Sequence, residues 1–96
     1  MERTFVTPPS DESWLKATSG QLSEMVKVVL ERLYAEAKAT RKGVSVTELK
    51  KLDPTFDGPR ADKINLMLRV RGAKCRLVPM RDAADWDAQD IGLTAV

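Results

Sequence analysis

Ninety-six residues, 43% hydrophobic and 31% charged with a net charge of +2, suit one domain with a single core and do not match a disordered or fibrous chain. One cysteine and no histidine exclude an internal disulfide and remove the usual zinc ligands and the usual neutral-pH acid or base, which weighs against metalloenzyme and hydrolase chemistry. No apolar run approaches the ~18 residues of a membrane span, and Met1–Phe5 lacks a secretory apolar region, so the expected location is intracellular, cytoplasmic or nuclear.

The near-neutral total conceals a segregation. From Lys27 to Arg81 there are fourteen Lys/Arg against six Asp/Glu, a local +8, whereas Met1–Val26 carries −2 and Asp82–Val96 carries −4. A basic centre between acidic ends sets up a field that a polyanion senses.

In chain order, residues 1–17 read as a flexible or loosely docked arm, with Pro8-Pro9 among small polar residues and Trp14 as the group that would anchor it. A domain is expected over 18–80. Its first helix starts at Thr18 or Ser19 with a capping box to Gln21 and carries an apolar stripe at Leu22, Met25, Val26, Val29, Leu30, Leu33 and Ala37. Lys27 and Glu31 are spaced for an i, i+4 pair, and Tyr34 lies at the edge of the stripe. Thr40-Arg-Lys-Gly43 stops the helix, with Gly43 expected in the left-handed cap.

Ser45-Val-Thr-Glu48 is a second capping box, flanked by Val44 and Leu49 as a hydrophobic staple, and predicts a short helix from Val46 to about Leu52. Asp53-Pro54 ends it, because a residue before proline avoids helical dihedrals. Phe56 is expected to plug the turn that follows. Asp57-Gly-Pro59 then opens a third helix running to about Arg71, with Gly72 as its stop. Ile64, Met67 and Leu68 share one face, Leu66 and Val70 lie on a second, and Asp62, Asn65 and Arg69 form the polar stripe. Ala73 to Val78 alternates small or apolar with basic and predicts a strand with Ala73, Cys75 and Leu77 inward, which should pair with Gly43-Val44 or with the region of Arg81. Residues 81–96 read as an acidic tail, an extended segment or a turn of helix, with Asp82, Asp85, Asp87 and Asp90 around Trp86. It lacks the glycine and terminal Glu of a calcium loop, so solvated charge is the expectation.

The expected fold class is α+β: a small winged helix-turn-helix-like domain of three helices followed by a short strand or hairpin. Val29-Leu30-Glu-Arg-Leu33, Gly43-Val-Ser-Val-Thr-Glu-Leu49, Lys63-Ile-Asn-Leu-Met-Leu68 and Cys75-Arg-Leu-Val-Pro79 together resemble the winged-helix superfamily, and most closely its LOTUS (OST-HTH) domains. The resemblance covers about the central half of the chain and implies binding of RNA or of helicase partners. Ile64-Asn65, Leu68 and Trp86 are also similar to the Z-nucleic-acid-binding winged helices, but Arg69 stands where those domains have a tyrosine.

The residues themselves point to a non-catalytic module that binds nucleic acid and needs no cofactor, and the resemblance to LOTUS domains implies RNA before DNA. Lys42, Lys50, Lys51, Arg60, Lys63, Arg69, Arg71, Lys74 and Arg76 are the candidate phosphate contacts, and the Arg69 to Arg76 run is expected to form one ridge. Asn65 either reaches a base edge or bridges within the core. The few aromatic residues are not interleaved with the cations, which argues against a stacking platform. The alternative is a protein-interaction or dimerisation module that uses Leu66 and Val70 with Trp14 and Trp86; whether the two tryptophans cover that face decides between them. Cys75 reads as a small buried hydrophobe rather than a nucleophile.

Overall fold

A computed structural model describes residues 5–9, 24–80 and 90–96. Among these the order of elements is α1 (Glu24–Thr40), β1 (Val44–Ser45), α2 (Val46–Leu52), α3 (Gly58–Val70), β2 (Cys75–Pro79) and β3 (Asp90–Ala95). The three strands make one antiparallel sheet in the order β1-β3-β2. The molecule is therefore a small α+β domain with three helices against a three-stranded sheet.

The helices form where local chemistry directs them. Val26, Val29, Leu30, Leu33 and Ala37 of the expected stripe of α1 are buried, whereas Met25, placed in it by its spacing, is exposed in the first turn; Leu22 and the capping box at Thr18 to Gln21 lie outside the described residues. Lys27 pairs with Glu24, 3.7 Å away, and not with Glu31. The end of α1 departs from expectation. Arg41, not Gly43, takes the left-handed conformation (φ 60°), and Gly43 serves a different need. A Cβ placed there would collide with the Ile91 carbonyl and come within 2.8 Å of Met80 Cγ, so glycine is what lets the chain pass against β3. Ser45 Oγ accepts the Glu48 N–H to cap α2, and Asp57 does the same for the Arg60 N–H at the start of α3. Gly72, at φ 76°, ends α3 as predicted.

Between α2 and α3 a buried carboxylate holds the turn. Asp53 Oδ1 accepts from the N–H and hydroxyl of Thr55, at 3.1 and 2.6 Å, and Oδ2 accepts from Arg60 Nε at 2.7 Å. Asp53 is fully buried and Phe56 sits beside it in the core. Burial pushes the Asp53 carboxyl up, but the hydrogen bonds from Thr55 and Arg60 outweigh it and leave the group below its ordinary range.

The strand pairing corrects the sequence reading. β2 pairs neither with Val44 nor with the residues next to Arg81; it pairs along its length with β3, from Cys75↔Ala95 to Pro79↔Ile91. β3 also carries β1 on its other edge, through Val44↔Ile91 and Ser45↔Asp90. Residues 90–95, expected in a tail outside a domain ending at 80, are thus the middle strand, with Ile91 and Leu93 fully buried. The part of that tail from 81 to 89, including Trp86, lies outside the described residues, as does Trp14. The arm is docked where it is described: Val6 N–H donates to Arg41 O, Ala95 N–H donates to Thr7 O, and Val6 is buried with Ala37 and Met80.

Candidate nucleic-acid interface

The third helix and β2 lie side by side, and one residue fixes that arrangement. Asn65 Nδ2 donates to Leu77 O at 3.0 Å while Leu77 N–H donates to Asn65 Oδ1 at 2.7 Å, so the side-chain amide reproduces one rung of a sheet. Hydrogen bonds from Met80 N–H to Asp90 O and from Val96 N–H to Lys74 O put the even-numbered residues of β2 in hydrogen-bonded pairs with β3. Cys75, Leu77 and Pro79 then turn their backbone groups away from β3. On that outer edge Pro79 offers no donor and Asn65 occupies both groups of Leu77, which blocks addition of a further strand. Asn65 therefore bridges within the fold, the second of the two roles expected for it, and these bonds hold its side chain in place on β2.

The remaining candidates separate by what they touch. Arg60 is committed through Nε to buried Asp53, as described above, an ion pair within the fold. Lys51 lies 3.2 Å from Glu48 on the exposed face of α2, a contact of the kind that contributes little and that a stronger anion displaces. Lys42 precedes β1, Lys50 lies on α2 and Lys63 on α3, all exposed. Arg71, half-buried at the C-cap of α3, is already engaged within the fold. Arg69, Lys74 and Arg76 are exposed, and no described carboxylate lies within ion-pair distance of them.

Arg69 and Arg76 meet at one feature. An open groove of about 730 Å³ lies where α3 meets the start of β2, with both arginines, Asp62 and Leu66 in its walls and Ala73 and Cys75 among its lining. Sequence reasoning placed Arg69 and Arg76 on one ridge but missed the groove between them, because part of its lining comes from the end of β3 and the residue after it, Ala95 and Val96. The alternation of Ile91, Leu93 and Ala95 was the available signal for that strand. Cys75 is buried at the groove, and desolvation pushes its thiol up to about 11, so it is not poised as a nucleophile.

No family model matches the chain, and neither a curated protein nor a solved structure matches it. Function must therefore be argued from the side chains. Among the described residues no group of His, Cys, Asp and Glu could hold a metal ion, and no helix is long and apolar enough to cross a membrane. The apolar alternative surface is present in part. Leu66 is 51% and Val70 73% exposed, so the described part of the fold does not cover them.

Proposed function

We propose that the chain is a winged helix-turn-helix domain that binds nucleic acid without catalysis, with RNA favoured by the likeness to LOTUS domains. The order α1-β1-α2-α3-β2-β3 and the strand order β1-β3-β2 support the winged reading. The observation that carries the function is that Arg69 and Arg76 line one groove, with exposed Lys74 in the segment that joins α3 to β2, all three unpaired among the described residues. Cations free of internal carboxylates release the counterions of a phosphate backbone on binding, and arginine's forked donors suit phosphate oxygens.

Three such contacts give a salt slope of about −2 for a single strand and −3 for a duplex, so affinity falls roughly 20- to 40-fold between 50 and 200 mM salt. The test is a salt titration of RNA, DNA and heparin by fluorescence anisotropy with the wild type and the Arg69→Glu/Arg76→Glu double variant. Loss of binding with an unchanged circular dichroism spectrum is expected. Equal affinity of the two proteins at low salt refutes the reading.

A second reading is favoured by the exposure of Leu66 and Val70: a protein-interaction face on α3. It predicts concentration-dependent sedimentation, or partner capture, that Leu66→Asp/Val70→Asp abolishes and that salt barely alters.

A further inference from the structure

The groove beside α3 carries more information than a row of cations, because its polar groups are ordered along the helix. Asp62, Leu66 and Arg69 are one turn apart in succession on the wall that α3 presents, so carboxylate and guanidinium stand about 10 Å apart along the axis with an apolar side chain between them. Arg76 stands across from Arg69 on the strand side, and Ala73 and Ala95 continue the apolar lining. Asp62 is exposed and makes no hydrogen bond or ion pair among the described residues, and Asn65, the other polar side chain in the wall, is committed to Leu77.

We propose that this groove takes one unpaired nucleotide of a single strand: its phosphate between Arg69 and Arg76, its base against Leu66, and an exocyclic amino group donating to Asp62. The inference rests on the nucleic-acid reading above and narrows its ligand. The span from Arg69 to Asp62 is comparable to that from a phosphate to the far edge of its own base. A carboxylate accepts from the amino group of cytosine and repels the carbonyl oxygen that uracil presents at the same position, so the groove prefers cytosine over uracil. A base paired in a duplex keeps its face in the stack and its Watson–Crick edge occupied, and so cannot fill a concave groove of this kind. With no aromatic side chain in the groove wall, the base gains from apolar burial alone and the preference stays modest.

The experiment compares four ligands by fluorescence anisotropy at low salt: oligocytidylate and oligouridylate octamers, an abasic octamer with the same phosphates, and a blunt RNA duplex. Oligocytidylate should bind about five- to tenfold tighter than the abasic strand, the gain from burying part of one base. It should bind about fivefold tighter than oligouridylate, the net worth of one ordinary hydrogen bond, since Asp62 is exposed to solvent. Leu66→Ala should bring oligocytidylate to the abasic level. Asp62→Asn should erase the cytosine preference with abasic affinity not reduced, and Arg69→Ala should weaken all four ligands. Abasic strand and duplex binding as tightly as oligocytidylate, with every ligand still sensitive to Arg69→Ala, would overturn the groove assignment and leave the nucleic-acid reading standing. Absence of binding to all four overturns both.

Discussion

Replacing Asn65 separates a structural role from a recognition role, and the structure sets the size of the effect. Asn65→Ala removes two hydrogen bonds, of 2.7 and 3.0 Å, and leaves the Leu77 N–H and C=O without partners where α3 packs on β2. Each loss costs about 1–1.5 kcal/mol in such a half-buried setting, so the variant should be about 2–3 kcal/mol less stable. For a domain of this length that corresponds to a fall in Tm of about 10–20 °C. Asn65→Asp is the informative companion. It keeps the acceptor for Leu77 N–H but turns a second acceptor toward Leu77 C=O, so it should be destabilised at neutral pH. Its deficit relative to wild type should shrink below about pH 4, where a protonated carboxyl can donate. Thermal unfolding followed by circular dichroism measures both. An Asn65→Ala variant melting within a few degrees of wild type, yet with altered nucleic-acid affinity, would refute the structural assignment.

Other consequences can be checked in the same way. Asp53 sits below its ordinary range, so its contribution to stability is complete above the unfolded carboxyl value of about 4 and is lost as pH falls through the lower folded value. Acid unfolding should therefore shift toward neutral pH in Arg60→Met, which removes one of its hydrogen-bond donors, while the salt slope of nucleic-acid binding stays unchanged. Gly43→Ala should destabilise by more than about 1 kcal/mol, because the Ile91 carbonyl and Met80 must both give way; a neutral result in a denaturant titration would show that β1 is not held against β3 as described. A chain ending at Met80 should fail to fold cooperatively, since it lacks the strand between β1 and β2. Cys75, with its thiol raised to about 11, should react with a thiol reagent at pH 8 only after unfolding.

The helical part of the fold was legible because its signals are local. Ser45, Asp57, Pro59 and Gly72 each act within a few residues, and the stripe of α1 has the helical period throughout. The sheet was less legible because register is a long-range matter: nothing near Cys75 announces that Ala95 lies opposite, and the acidic run before Asp90 obscures the alternation after it. The internal partners of Arg60 and Asn65 were not legible for a related reason. Composition counts a cation or an amide as available, whereas availability depends on a partner brought in by the fold: Asp53 seven residues before Arg60, and Leu77 twelve residues after Asn65. Gly43 shows the same limit from the other side. Its helix-end context suggested a conformational role, but its neighbour Arg41 adopts the positive φ and the glycine is needed for space.

The topology also changes what the charge segregation means. Along the hairpin, Cys75 and Ala95 mark one end and Pro79 and Ile91 the other, roughly 13 Å apart at the rise of a strand. Lys74 and Arg76 belong to the first end, where α3 delivers Arg69, and exposed Asp90 belongs to the second. That separation exceeds a Debye length at physiological ionic strength, so Asp90 does not neutralise the cations of the groove there. It acts instead at low salt, where screening is weak, on a polyanion lying across the sheet. Asp90→Asn should accordingly strengthen binding at about 10 mM salt and leave it nearly unchanged at about 150 mM. A gain of equal size at both salts, measured by anisotropy, would mean that the two ends of the hairpin are not electrostatically independent.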